Sequence, residues 1–284
     1  MRSNLMGPLV TPDWLAARLG DSALRVVDAS WHLPTAGRNA RAEYLAEHIP
    51  GALFWDLEAM SATGDPRTHM MPSAAQFAGA LGALGIGPGD RVVAYDTSGT
   101  NFSAARAWWQ LRAVGHREVA VLDGGLGGWT TAGLPIATGE ERRPATNYPT
   151  PSAIRGFRSK REVLALLDHP EAQLVDARSA GRFAGREPEP RPGVRGGHIP
   201  GSRNLPIALL VDDKGCLLPE DQLRAVFRQA QVDLDRPVVA SCGSGVNACA
   251  IVLALECLGL QDHAVYDGSW TEWGGDADLP VETD

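Results

Sequence analysis

The chain has 284 residues, 44% of them hydrophobic, which is enough for a substantial core and more than one typical domain uses. A net charge of −8 and a pI near 5.4 exclude a phosphate-backbone partner, which needs a basic face, so no nucleic acid is expected. Residues 1–10 hold no apolar core of signal-peptide length, and the charge-free apolar run at 248–255 is far short of a membrane span, so neither export nor a membrane partner is expected.

Thr11, Pro12 and Asp13 read as an N-cap with proline at the first helical position, opening a helix over 14–19. A strand follows at 24–28. Ser73 caps a helix that runs to 84 and ends at Gly85. A strand at 91–95, a helix at 103–114 and a strand at 119–122 complete the first half. Pro144, Pro149 and Pro151 then stand amid polar and charged residues, and 139–156 reads as an inter-domain linker. The second half repeats the order with a helix at 160–167, a strand at 173–176, a helix at 220–229, a strand at 237–240, a helix at 248–258 and a strand at 263–266. Alternating strands and helices, with strands rich in Val and Leu, predict an α/β fold in which each half is a parallel β-sheet with helices on both faces.

The two halves are copies of each other. Glu47-His48-Ile49-Pro50-Gly51 recurs as Gly197-His198-Ile199-Pro200-Gly201, and Val26-Val27-Asp28-Ala29 as Leu174-Val175-Asp176-Ala177. Val92-Val93-Ala94-Tyr95-Asp96 recurs as Val238-Val239-Ala240-Ser241-Cys242. Leu122-Asp123-Gly124 with Trp129 recurs as Tyr266-Asp267-Gly268 with Trp273. The spacing narrows slowly along the chain and never jumps, which indicates duplication of one domain rather than a solenoid. The boundaries are 1–138 and 157–284.

The chemistry points to Ser241-Cys242-Gly243-Ser244-Gly245-Val246-Asn247. A cysteine stands on a glycine-containing turn between an apolar strand and a helix N-terminus. There the amides of the turn and of the first helical residues can converge on one sulfur, favour its anion and lower its pKa. The structural alternative is a small buried apolar residue. The other cysteines, Cys216, Cys249 and Cys257, show no C-x-x-C spacing and suit a reduced cytosol better than a disulfide framework or a zinc site. Cys249 and Cys257 read as core residues of a helix, and Cys216 as incidental in a polar loop.

Three readings of the loop compete. A Cys-x5-Arg phosphatase needs an arginine where the chain has Ala248. A binding module with a relic loop describes the first copy, where Asp96 replaces the cysteine and cannot accept sulfur. A thiolate that carries sulfur as a persulfide, stabilised by backbone N–H groups, fits the second copy.

The duplicated domain, the two His-Ile-Pro-Gly motifs, Asp267-Gly268-Ser269-Trp270 and the cysteine loop together resemble two-domain sulfurtransferases of the rhodanese type, over roughly residues 6–273. The loop beginning Cys-Gly-Ser-Gly-Val is similar to the 3-mercaptopyruvate branch. The thiosulfate branch usually has basic residues where this chain has Gly243 and Ser244. Asn247 stands where the mercaptopyruvate branch usually has threonine; asparagine also offers a donor and tolerates unusual φ/ψ.

The resemblance implies that Arg182 and Arg191, in the Pro/Glu-rich stretch 181–191, hold the donor's carboxylate and ketone oxygen, alongside Gly243, Gly245, Val246 and Asn247 of the loop. A planar, always-charged fork suits that task. It also implies a serine–histidine–acid relay spanning the two domains, through Ser244, His69 and Glu58, with Asp56 as a rival to Glu58. His48 and His198 occur in both copies and read as structural. The implied enzyme is a cytoplasmic sulfurtransferase acting on a small-molecule sulfur donor without metal or organic cofactor. Its acceptor would be a thiol, that of a thioredoxin-like protein included, or cyanide. The alternatives are a thiosulfate sulfurtransferase and a sulfur-carrier or docking module.

Overall fold

Runs of Val, Ala and Leu form strands that are buried at every residue, as a sheet covered on both faces requires. The computed structural model describes residues 6–284; residues 1–5, part of the stretch read for a signal core, lie outside the described residues. In chain order the strands are β1 (Leu9–Val10), β2 (Leu24–Asp28), β3 (Leu53–Phe54), β4 (Arg91–Tyr95), β5 (Val119–Leu122), β6 (Phe157–Arg158), β7 (Gln173–Asp176), β8 (Arg203–Asn204), β9 (Val238–Ser241) and β10 (His263–Tyr266). They make two five-stranded sheets of the same order, β1-β5-β4-β2-β3 and β6-β10-β9-β7-β8. All pairings are parallel. The α/β class and the parallel sheets are as expected.

The chain divides into two units. One takes in the chain up to Gly64, Met71–Arg155 and Asp212–Leu217; the other takes in Asp65–Met70, Gly156–Val211 and Leu218–Asp284. Equivalent positions fill the two cores. Val26, Ile49, Val93, Leu122 and Trp129 in the first unit correspond to Leu174, Ile199, Val239, Tyr266 and Trp273 in the second. His48 and His198 are also equivalent. Each donates from Nδ1 to a carbonyl, of Tyr44 (2.8 Å) and Phe183 (2.9 Å), and stacks on that residue's ring.

Long strands and helices fall where the apolar pattern places them. Thr11 Oγ1 accepts from Trp14 N–H, but the helix is Pro12–Ala16, shorter than expected and starting at the proline. Ser73 and Gln76 form a reciprocal capping box at the start of Ala74–Ala83. β1, β3, β6 and β8 have two residues each, too few to show a period, and the sequence reading missed them. The helices Ala40–Ala46, Gly125–Thr131, Ala180–Phe183 and Ser269–Trp273 were missed for the same reason.

The stretch read as a linker is bonded along the first unit. Gly139 N–H donates to Leu45 O, Thr146 N–H to Gly82 O (2.8 Å) and Arg155 N–H to Ala113 O. The segment Asp212–Leu217 also belongs to this unit: Leu217 N–H donates to Asp123 Oδ1 and Asn101 Nδ2 to Gly215 O. Cys216 lies in it against Gly124, and burial, with Asp123 and Asp212 nearby, pushes its thiol pKa up.

Both sheets end their central strands alike. Asp28 pairs with Tyr95 and Asp176 with Ser241, so Asp96 and Cys242 each stand one residue past the carboxyl end of the middle strand. Reactive groups of such sheets lie there.

Gly82 gives this fold a test. Glycine-to-alanine changes inside helices usually stabilise by up to about 1 kcal/mol. A Cβ at Gly82 would lie 2.5 Å from the Thr146 carbonyl oxygen. Gly82→Ala is therefore expected to destabilise by about 1–3 kcal/mol, read as a lower midpoint in urea unfolding.

Candidate active site

A buried sulfur anion must be met by donors within a few ångströms, or it will protonate. Cys242 is 2% exposed, so its loop decides its chemistry. Three residues of the helix Ser269–Trp273, which follows β10, fix that loop. Ser269 Oγ accepts the Cys242 N–H (3.1 Å) and donates to Tyr266 O; Trp270 N–H donates to Cys242 O (2.9 Å); and Thr271 N–H donates to Gly243 O (2.8 Å). Ser269 has φ 49°, the left-handed region, whereas the first copy has glycine there, Gly125 with φ 54°. Serine in that conformation carries strain, and here its hydroxyl holds the cysteine's amide. In the sequence Ser269 stands out only as part of Asp267-Gly268-Ser269-Trp270. Nothing in the sequence shows its backbone conformation.

The first copy shows what the cradle does to an anion. The Asp96 carboxylate is 1% exposed. Its Oδ1 accepts from Ser98 N–H (2.9 Å) and Ser98 Oγ (2.7 Å). Its Oδ2 accepts from Ser103 N–H (3.0 Å), Ser103 Oγ (3.1 Å) and Ala104 N–H (2.9 Å). The loop and the start of the helix Phe102–Ala113 are thus closed around a built-in anion.

In the second copy the helix Ala248–Cys257 takes up the equivalent amides. Cys249 N–H donates to Val246 O (3.1 Å) and Ala250 N–H to Asn247 O (3.0 Å). The loop residues from Gly243 to Asn247 stand ahead of that ladder, between the cysteine and the helix. Gly245 takes φ 76°, the left-handed turn expected of a glycine here. Asn247 is in ordinary αR conformation (φ −63°, ψ −28°), so tolerance of unusual φ/ψ plays no part. The left-handed asparagine is its counterpart in the first copy, Asn101, with φ 53°. Val246 is buried, and Cys249 Sγ lies 3.3 Å from the Gly245 carbonyl oxygen.

Arg182 and Arg191 converge on the loop. A Cβ placed on Gly243 would lie 3.1 Å from Arg182 Nη2 and 3.8 Å from Arg191 Nη1. A Cβ there would press on the Arg182 guanidinium and only touch that of Arg191. Arg182 donates from Nη2 to Glu189 Oε2 (2.6 Å) and from Nε to Glu189 Oε1 (3.2 Å). Glu189 Oε1 also accepts from Arg178 Nη1 (2.8 Å). Arg178, fully buried, grips Asp176 with Nε and Nη2 (2.6 Å) and lies 4.4 Å from the Trp270 ring centroid. Burial alone would lower the Arg178 pKa; the carboxylates of Asp176 and Glu189 outweigh it and raise it. The sequence reading did not single out Arg178 or Glu189. Their spacing carries no period, and only the folded loop brings them together.

His69 is 2% exposed and lies in Asp65–Met70, which belongs to the second unit. Its Nδ1 and Ser244 Oγ share a hydrogen bond at 3.1 Å. His69 has φ 64°, a conformation that non-glycine residues keep only when their surroundings over-determine it. Arg67 supplies that hold. It grips Asp65 with Nε (2.9 Å) and Nη2 (2.6 Å) and reaches Glu272 Oε1 with Nη1 (2.5 Å). Tyr266 OH donates to Glu272 Oε2 (2.9 Å). Arg67 holds the Asp65 carboxyl down at about 2. That contribution is present above the unfolded value of 3.8 and lost as pH falls through about 2. Glu58 belongs to the first unit and is exposed on a turn whose amides, its own included, donate to Asp56 Oδ1.

Among the described residues no cysteine is in a disulfide, and no three His, Cys, Asp or Glu side chains gather as a metal set. Among the described residues, no helix is long and apolar enough to cross a membrane.

Comparison with known proteins agrees with this geometry. A model of the rhodanese-like domain matches twice, at residues 11–132 and 159–276. The 3-mercaptopyruvate sulfurtransferase of Mus musculus is 41% identical over 95% of this chain and 92% of its own length. The thiosulfate sulfurtransferase of Cricetulus griseus is 42% identical over 97% and 94%. The crystal structure of SseA from Escherichia coli, described as a 3-mercaptopyruvate sulfotransferase of rhodanese fold, matches with a TM-score of 0.84 at 38% identity, covering 93% of this chain and 99% of that one. Two matches to one domain model, on two sheets of identical strand order, place this chain in the rhodanese-like family as a protein with two copies of the domain.

Proposed function

We infer that this protein is a sulfurtransferase that moves the sulfur of 3-mercaptopyruvate to a thiol or to cyanide through a persulfide on Cys242. The convergence of Arg182 and Arg191 on Gly243, the residue after the cysteine, carries this reading. Two guanidinium groups there suit a donor that bears a carboxylate and a ketone next to the sulfur to be taken. The relatives named for 3-mercaptopyruvate support it. In this reading the catalytic copy is 157–284, the copy at 1–138 carries Asp96 in place of a nucleophile, and 139–156 joins them. The absence of disulfides among the described residues fits a reducing compartment, and the cytoplasm is the proposed location.

The Cys242 thiolate attacks the donor sulfur. A sulfur–sulfur bond forms, the carbon–sulfur bond breaks, and its electron pair passes to the enolate of pyruvate. The proton of the donor thiol ends on the enolate carbon, so pyruvate leaves and Cys242 holds an anionic persulfide. Ser244 and His69 move that proton, with Glu58 as the acid of the relay. The amides of Gly243, Gly245, Val246 and Asn247 receive the charge that develops on sulfur. An acceptor thiolate or cyanide then attacks the outer sulfur, and the Cys242 thiolate returns.

Thiosulfate is the second reading, favoured by the Cricetulus griseus relative. A carrier that receives sulfur only from a partner protein is the third.

Incubation with 3-mercaptopyruvate is expected to add one sulfur atom to the Cys242 peptide, seen by mass spectrometry, and none in Cys242→Ser. Absence of the adduct in the unaltered protein, with thiosulfate as well, ends the enzymatic reading. Arg191→Ala is expected to lower kcat/KM for 3-mercaptopyruvate by about 10- to 100-fold, the loss of a charged hydrogen-bonding pair, and to remove the preference over thiosulfate. Sulfur transfer from thiosulfate releases sulfite and moves no donor proton. Ser244→Ala and His69→Ala are therefore expected to lower kcat by about 100-fold or more with 3-mercaptopyruvate, and by less with thiosulfate. Equal losses with both donors would remove the relay from the mechanism.

A further inference from the structure

Arg182 reaches the cysteine loop already carrying a carboxylate. Glu189, with a side chain only 4% exposed, gives Oε2 to Arg182 Nη2 and shares Oε1 between Arg182 and Arg178. Arg178 is bound in turn by Asp176 and by the Gly197 carbonyl (2.8 Å). The side chains form a line of alternating charge, Asp176, Arg178, Glu189, Arg182, whose formal charges cancel. A carbonyl or hydroxyl oxygen would hold an arginine in place equally well. A carboxylate does more: it removes one unit of positive charge from the donor side of the loop. A donor with two negative charges feels that removal twice as strongly as a donor with one.

We propose that Glu189 is a specificity-determining residue that makes this site select singly charged sulfur donors over doubly charged ones. The proposal rests on the reading that Cys242 takes sulfur from a small anion, and it names the property of the anion that is selected. The loop composition fits, since Gly243 and Ser244 add no cation to offset Glu189. At an effective dielectric of about 20, one unit of charge is worth about tenfold in binding for each charge on the donor at about 12 Å, and more at shorter range.

The test compares kcat/KM for 3-mercaptopyruvate, a monoanion, and thiosulfate, a dianion, in the unaltered protein, Glu189→Gln and Glu189→Asp. Glu189→Gln is expected to shift the ratio about tenfold toward thiosulfate. Glu189→Asp, which keeps the charge and disturbs the geometry, leaves the ratio near that of the unaltered protein. Loss of both donors by the same factor in Glu189→Gln overturns the proposal, because Glu189 would then only hold Arg182. Should Glu189→Gln not fold, inhibition of the unaltered protein decides. Oxamate and oxalate share a shape and differ by one charge, and oxamate is expected to compete more tightly. Equal or tighter competition by oxalate overturns the proposal. Unaltered protein that turns over neither donor defeats the sulfurtransferase reading instead, so the two failures are told apart.

Discussion

The arrangement of both loops depends on one position, the residue just beyond the carboxyl end of a buried middle strand. A group that is 2% exposed meets little water, so a charge placed there would depend on main-chain N–H groups and nearby cations. The end of a parallel strand that leads into a helix is suited to this. It offers a turn whose amides have no ladder partner and a helix terminus with partial positive charge. Cys242 occupies that position in the second sheet, on the middle strand, where neighbours on both sides fix the backbone.

The two copies differ instructively in how they use this frame. In the first, Asp96 folds back and draws two serine hydroxyls and three amides around itself, closing the loop on a carboxylate. In the second, the amides of Cys249 and Ala250 donate instead to Val246 and Asn247 carbonyls at the start of the helix. A one-residue change of chemistry thus accompanies a different set of hydrogen bonds on the same scaffold. The counterparts Gly125 and Ser269 show the same divergence: glycine where a Cβ would strike the Asp96 carbonyl oxygen, strained serine where a hydroxyl holds the amide of Cys242.

Around the cysteine loop the second unit arranges charge in two lines. One runs from Asp176 through Arg178 and Glu189 to Arg182 and ends at Gly243. The other runs from Tyr266 through Glu272 to Arg67 and Asp65, and secures the strained backbone that carries His69 to Ser244. Burial pushes the Tyr266 hydroxyl pKa up, with Glu272 adding to it, so the phenol stays a donor in this line. Each line ends on a short loop: the first at Gly243 of the cysteine loop, the second at the segment that carries His69.

The sequence by itself determined the fold class, the duplication, the central strands and the place of the cysteine at the end of one of them. Each is written in local pattern: runs such as Val92-Val93-Ala94 and Val238-Val239-Ala240, the paired His-Ile-Pro-Gly motifs, and a cysteine set between glycine and an apolar strand. Arg182, Arg191 and His69 were legible only through resemblance, because an arginine in a Pro/Glu-rich loop or a lone histidine has no pattern of its own. Tertiary structure alone decided the rest. It set Glu189 between two arginines, gave Ser269 and His69 their left-handed backbones, and assigned Asp65–Met70 to the second unit. The physical reason is range. Periodicity and turn chemistry act over a few residues. The Ser244–His69 hydrogen bond and the Arg67–Glu272 ion pair join positions 175 and 205 residues apart, which only the packed chain brings together.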